Sequence, residues 1–275
     1  MTIEQIKIKS CKPFLGNPFQ IRDDTNMEML TESIRENGVM VPILVRRLSD
    51  DSYEVISGHR RIHACKRAGM DTIPASVRDL THDEAVICLV DSNLHREGLL
   101  PSEKAFAYKM KLEAIKHQGR TSGQVGQKWA REEVANSESG RTVQRYIRLT
   151  NLEKPLLNLV DEGRIALTPA VELSYLPAEE QIALVECYEE SMATPSYSQA
   201  VRLRKLSEAG LLTLDKVYEI MDELKPNQKE VLRLPMDRYD RYLRRFSTPK
   251  EKEAFIMKAL EYYTRYLERQ RNMER

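Results

Sequence analysis

The stretch VISGHRRIHACKRAG, residues 55–69, decides how the first part of this chain is read. An apolar run ends at Ser57-Gly58, and His59, Arg60 and Arg61 follow directly. Ile62, Ala64, Cys65 and Ala68 then recur at helical spacing, so a strand gives way to a helix at a glycine. A glycine at such a corner lets the backbone approach a ligand and bares the next amide groups. The helix N-terminus adds partial positive charge, and two arginines add forked donors that match phosphate oxygens. The same four residues also suit a plain turn glycine followed by surface arginines, and taken alone they leave both readings open. His59 and His63 stand four apart, a spacing that can hold a metal, but no acidic third ligand accompanies them.

Around this stretch, strand and helix signals alternate. IKIKSC reads as a short strand and NPFQIRDD as a loop. MEMLTESIRENG reads as a helix stopped at Asn37-Gly38. VPILVRR and YEVIS read as strands joined by the turn SDDS. MDTIPASVRDL is a strand whose Pro74 predicts an edge or strand-start position. Thr81 with Glu84 forms a capping-box pattern that opens a helix through DSNL. After Pro101 the strands stop, and PSEKAFAYKMKLEAIKHQG reads as a long helix with Ser102 as its N-cap. Shorter helices with Gly or Pro punctuation follow: GQKWAREEVA, GRTVQRYIRLTNL, LLNLVDEG, LTPAVELSYL and PAEEQIALVECYEE, then two more broken at Gly210.

The chain has 275 residues, 41% hydrophobic and 31% charged, which suits two or three modest domains. No uncharged apolar run reaches the roughly 18 residues a membrane span needs, and MTIEQIKIKS has no apolar signal-peptide core. Four scattered cysteines with no CxxC pair fit a reducing cytosol better than a disulfide framework or zinc finger. The net charge of +1 hides a pattern. Residues 117–150 carry 6 basic and 3 acidic groups, for +3; residues 151–224 carry 6 and 14, for −8; residues 225–275 carry 14 and 8, for +6. Two basic blocks flank an acidic one, as a polyanion-binding chain would have, and also as solvated helix faces would have.

Within the first basic block, SGRTVQRYIRL places Ser139 as an N-cap. Arg141, Arg145 and Arg148 fall along one face, and Val143 and Ile147 fall opposite. Such a helix, docked by its apolar side, presents Ser139, Arg141, Thr142, Gln144, Arg145 and Arg148 as candidate DNA-reading residues of a helix-turn-helix. The preceding helix fits less well, because Glu133 and Ser137 stand where a small residue and a turn glycine are usual. In the second basic block, KEVLRLP reads as a strand, MDRYDRYLRRF as a helix and STPKEKEAFIMKALEYYTRYLERQ as a longer helix capped by Ser247. Strand, short helix and long helix resemble a ribbon-helix-helix dimerisation module; two helices packed on the chain's own body are the alternative.

Four motifs now stand in order: NPFQIR (17–22), LTESIRENGVMVPILVRR, GHRRIHACKRAG and DSNLHREGLLPSEKAFAY (91–108). In this order they resemble the ParB/sulfiredoxin-like superfamily, and within it the ParB/RepB-type partition proteins, above all versions carried on Gram-positive mobile or conjugative elements. The resemblance continues to about residue 190. It implies an α+β ParB/sulfiredoxin-like domain over residues 1–100 and an all-α helix-turn-helix domain over 101–195. A helical linker at 196–225 and a small C-terminal dimerisation module at 226–275, ribbon-helix-helix in pattern, complete the expected order. It further implies a cytoplasmic, nucleoid- or plasmid-associated homodimer that binds double-stranded DNA at a centromere-like site. The protein would close as a clamp on CTP with Mg2+ and work with a Walker-type partition ATPase, with no membrane partner.

Carried over by position, Gln20 and Arg22 hold the nucleotide, while Gly58, His59, Arg60 and Arg61 cradle it. Asn93 coordinates Mg2+, and Arg96 contacts phosphate. Two residues depart from the family pattern: His59 and Ser92 each stand where the family has glutamate. Loss of the second glutamate points to nucleotide binding with weak or absent CTP hydrolysis. A ParB-like transcriptional regulator or nucleoid-occlusion factor is the first alternative role. A nucleotide-dependent kinase or nuclease of the same superfold is the second. A sulfiredoxin-type reductase is disfavoured because His59, not cysteine, follows the loop glycine.

Overall fold

The computed structural model describes residues 2–49, 51–118, 138–223, 236–246 and 248–273. The chain forms two units, Met1–Glu223 and Leu224–Arg275. The first opens with strands β1 (Thr2–Lys7) and β2 (Cys11–Pro13), then α1 (Thr25–Asn37), β3 (Ile43–Ser49) and β4 (Ser52–Ser57). It continues with α2 (His59–Arg67), β5 (Thr72–Arg78), α3 (His82–Asn93) and α4 (Pro101–His117). The five strands form one mixed sheet in the order β1-β5-β3-β4-β2. The β3–β4 and β1–β5 pairs are antiparallel; β3–β5 and β2–β4 are parallel.

Side chains alternate across a strand, so neighbouring residues serve opposite faces of the sheet. On β4, Val55 faces the core formed with Met27 and Ile34 of α1 and Ile62 and Cys65 of α2. Its neighbour Ile56 faces the other core, formed with Val86, Leu89 and Val90 of α3 and Ala107 and Ala114 of α4. The result is an α+β domain with helices on both faces of the sheet. Pro74 does not mark an edge: β5 lies between β1 and β3. The missing N–H is tolerated because the β3 ladder starts one residue later, at Ile43↔Ala75, so that side asks no donor of Pro74.

The helix ends follow local chemistry. Asp24 caps α1 by accepting the Met27 N–H at 2.9 Å, and Thr81 and Glu84 form the expected capping box on α3. The α4 start differs from expectation. Leu100 is the N-cap residue, Pro101 occupies the first turn, and Glu103 reaches back to the Leu100 N–H at 2.9 Å. Ser102 is drawn instead to Asp161, which accepts its N–H at 2.9 Å and its hydroxyl at 2.5 Å.

Among the described residues, six further helices belong to the first unit: α5 (Gly140–Arg148), α6 (Lys154–Asp161), α7 (Leu167–Leu173), α8 (Ala178–Ser191), α9 (Tyr197–Glu208) and α10 (Leu214–Asp222). Leu156, Leu173, Leu184, Leu203 and Ile220 lie in their common core. The expected helix GQKWAREEVA, the first helix of the proposed helix-turn-helix, lies outside the described residues. In the second unit, α11 (Met236–Leu243) precedes α12 (Pro249–Met273), and Phe246 meets Phe255 at 4.9 Å between ring centres. Thr248 and Glu251 cap α12 through mutual backbone bonds, the role expected of Ser247. The expected strand KEVLRLP also lies outside the described residues.

Gly58 is the most constrained turn in the sheet domain. It has φ +106°, and a Cβ there would sit 2.5 Å from Ile43 Cγ2 and 2.9 Å from Ile43 Cβ. Gly38 also has positive φ, at +69°, but a Cβ there meets nothing within 4 Å. Gly58→Ala is therefore expected to cost about 1–3 kcal/mol more than Gly38→Ala in urea unfolding, since it adds a core clash to the backbone strain common to both.

Candidate functional site

The α2 N-terminus opens onto a cavity of about 600 Å³, within the range that holds a nucleotide-sized ligand. The segment 17–21, α1, α2 and the turn after α3 surround it. Seven of the eight candidate nucleotide residues line it: Gln20, Gly58, His59, Arg60, Arg61, Asn93 and Arg96. Arg22 is exposed and is not among the lining residues. The lining also includes Asn17 and Asn26, which sequence reasoning passed over, and the apolar Phe19, Ile21, Leu30 and Val41. Asn17 lay inside the NPFQIR motif, and its Oδ1 accepts the Phe19 N–H at 3.0 Å. Asn26 carried no signal, because only the tertiary fold brings the first turn of α1 to this wall.

The helix begins at His59 itself, so the amides of His59, Arg60 and Arg61 belong to its first turn. These groups have no partner one turn back in the helix and carry the positive end of its dipole. The two arginines are held differently. Arg61 Nη1 donates to the carbonyls of Val41 and Pro42, the latter at 2.7 Å, and so anchors the loop before β3. Arg60 makes a loose 3.6 Å pair with Asp24, and its Nε is shielded with no hydrogen-bond partner among the described residues. Of the two guanidinium groups, Arg60 is the less engaged by the protein.

His59 shares this wall. Burial pushes its pKa below the ordinary imidazole value, partly offset by a hydrogen bond to the Val55 backbone. Its Nε2 is shielded and has no partner among the described residues. Asn93 closes the opposite side. Its Nδ2 donates to the Leu89 carbonyl at 2.8 Å, which leaves Oδ1 as a hard oxygen acceptor. Ser92 Oγ, in place of the family glutamate, donates to the same carbonyl at 3.0 Å. Asp91 is drawn away to Lys111 of α4 at 2.7 Å. Among the described residues no group of three or more His, Cys, Asp or Glu side chains is placed to hold a metal ion. The hard oxygen this wall offers a cation is Asn93 Oδ1.

Segment 17–24 is pinned from two sides. Glu103 Oε1 accepts the Gln20 N–H at 2.7 Å. Asp23 Oδ1 meets His63 Nε2 and Arg67 Nη1 of α2, each at 2.8 Å. The His63 hydrogen bond, with help from Arg67, holds the exposed Asp23 carboxyl below its usual pKa.

The DNA-reading candidates are also placed. Ser139 caps α5, accepting the Thr142 N–H at 3.2 Å, and Ser139 and Arg141 are exposed. Thr142 is half-buried, and the shielded Gln144 Nε2 has no partner among the described residues. Arg145 donates to Thr168 Oγ1 at 2.5 Å, and Arg148 to the Ser174 carbonyl at 3.2 Å.

Residues 1–94 match the ParB N-terminal domain. The chromosome-partitioning protein Spo0J of Thermus thermophilus is 33% identical over 204 residues, covering 74% of this chain and 70% of that protein. The chain belongs to the ParB/Spo0J family of partition proteins. A nucleoid occlusion protein of Bacillus thuringiensis is 27% identical over 233 residues, covering 84% of this chain and 67% of that protein. The solved C-terminally truncated ParB of Caulobacter crescentus, complexed with CTP-gamma-S, is 26% identical and covers 68% of this chain and 98% of that one, with a TM-score of 0.33. The chain spans about half the length of two further relatives, a probable chromosome 1-partitioning protein ParB of Deinococcus radiodurans (54%) and the stage 0 sporulation protein J of Bacillus subtilis (55%).

His59 makes an acid-side prediction. The unfolded chain takes a proton on this residue below about pH 6.5, and the fold resists it, so stability falls as pH drops through that value. His59→Gln removes this contribution. The fall in thermal midpoint between about pH 7.5 and 5.5 should be smaller in His59→Gln than in the wild type, read by calorimetry across that window.

Proposed function

We propose that this ParB-family chain is a DNA-binding partition protein that binds CTP and uses it to close as a clamp on DNA. One observation supports the reading most: residues scattered from position 20 to position 96 line one cavity at a helix N-terminus. The chemistry suits a nucleoside triphosphate. First-turn amides of α2 and the guanidinium of Arg60 meet phosphate oxygens, Arg96 adds a second cation, and Asn17, Gln20 and Asn26 offer hydrogen bonds to base or ribose. Arg61 shapes the wall by holding the 41–42 carbonyls. His59, kept neutral by burial, offers Nε2 to the ligand without adding charge.

Mg2+, when bound, neutralises phosphate charge and fixes the phosphate geometry, with Asn93 Oδ1 as its one ligand from this wall. The site favours binding over turnover. Ser92 cannot supply the carboxylate of the family glutamate, and Asp91 is committed to Lys111. Hydrolysis is accordingly slow or absent in this reading.

DNA is read by α5, whose open N-terminal end carries Ser139 and Arg141. Residues 1–100 form the nucleotide domain and 101–195 the DNA-binding domain, with 196–225 as linker. Residues 226–275 join two copies: Met257, Leu260, Tyr262 and Tyr263 of α12 are all more than half exposed in the single chain. The protein acts in the cytoplasm on a nucleoid or plasmid, with a Walker-type ATPase as partner. No helix among the described residues is long and apolar enough to cross a membrane. A second reading, nucleoid occlusion, draws on the relative of that name, which matches over a larger share of this chain than the Thermus protein does.

Titration calorimetry with CTP and Mg2+ tests the site. Wild type should bind, and Arg60→Ala should bind about 10- to 100-fold more weakly, the loss of one charged hydrogen-bond donor. Absence of heat with CTP and with every other nucleotide would contradict the reading.

A further inference from the structure

Arg148 ends α5, and its guanidinium is spent inside the protein. Its Cζ lies 3.8 Å from the centre of the Tyr175 ring, and the Cζ of Arg204 lies 3.7 Å from the same centre. Both guanidinium groups therefore pack on the Tyr175 ring. Two cations on one ring repel, and the surroundings offset each charge. Arg204 pairs with Glu172 at 3.0 Å and with Glu208 at 2.7 Å. Arg148 donates to the Ser174 carbonyl, at the C-cap of α7, where the helix dipole is negative. The Nε of Arg148 is shielded and has no hydrogen-bond partner among the described residues, so the ring face is a principal partner of this cation. Three residues earlier, Arg145 reaches Thr168 of α7. Two struts on one side of α5 thus fix its rotation about its own axis, and leave Ser139 and Arg141 exposed at its start.

We propose that Tyr175 is a positioning residue for the DNA-reading helix. It holds Arg148, and through Arg148 the angle at which α5 meets the groove, and Arg148 is not itself a phosphate contact. The inference rests on the DNA-binding reading above. Recognition helices read base edges with their N-terminal residues, so a small rotation set at the far end misaligns Arg141. The loss falls on sequence discrimination more than on charge.

The test measures binding against salt concentration for two probes: a duplex that the wild-type protein selects from a random-sequence pool, and an unrelated duplex of equal length. Arg141→Ala should weaken binding to the selected duplex more than to the unrelated one, as loss of a base-reading residue does. Arg148→Ala should leave the slope unchanged. It should weaken binding to the selected duplex about three- to tenfold, with less effect on the unrelated one. Tyr175→Leu should do the same, and Tyr175→Phe, which keeps the ring, should restore the wild-type ratio. Melting curves accompany each variant; should Tyr175→Leu not fold, Arg148→Ala and Tyr175→Phe decide the matter by themselves. A slope lowered by about 1 in Arg148→Ala, or an undiminished selected-to-unrelated ratio in it, would overturn the proposal while leaving DNA binding intact. A wild-type protein that binds no duplex at any salt would overturn the DNA-binding reading, and this inference with it.

Discussion

A carboxylate buried in the first turn of α4 is the constraint on which the pocket and the helical body both depend. Glu103 is only 3% exposed, yet it carries a formal charge. A buried charge is costly unless strong donors surround it. Here the donors are two backbone amides, Gln20 at 2.7 Å and Leu100 at 2.9 Å, together with the positive end of α4 itself. The arrangement joins a wall of the cavity to a helix start far away in sequence. One residue back, Ser102 bonds Asp161 of α6. Neighbouring positions of one helical turn therefore hold segment 17–24 and the helical body.

The rest of α4 continues this division. Ala107 and Ala114 pack against the sheet domain, Tyr108 and Ile115 receive Val143 of α5, and Ala105 joins the core of the later helices. Small residues on one side let the sheet and α3 approach closely, and larger ones on the other fill the space toward α5. Lys111, almost fully buried, adds the pair with Asp91 of α3. A helix packed on several sides has little freedom to shift without disturbing each of them. A ligand that alters the contact between segment 17–24 and Glu103 acts directly on the element that supports α5.

Much of this was legible in the sequence because it is local. The Thr81–Glu84 box, the Ser139 cap and the Gly58 corner each need only residues within a turn of one another, and each lies where its residues predict. What was not legible is long-range. Ser102 looked like a cap, but a proline at the next position back and a glutamate at the next position forward gave that end to Leu100 and Glu103, and freed Ser102 for Asp161. Pro74 looked like an edge marker, but the register of a strand distant in sequence spares its missing donor. Seven of the eight candidate nucleotide residues share one cavity, and Arg22 does not. Arg145 and Arg148 share a helical face with Arg141, as spacing requires. The partners that occupy them, Thr168, Ser174 and Tyr175, come from a helix and turn that periodicity cannot place.

Amide hydrogen exchange at Gln20 tests the central constraint directly. The Glu103 carboxylate should give the Gln20 and Leu100 amides protection well above that of the exposed loop around them, and Glu103→Ala should abolish it at both positions together while the β4 amides stay protected. Gln20 exchanging at the rate of an unstructured chain in the wild type, or keeping its protection in Glu103→Ala, would contradict the account.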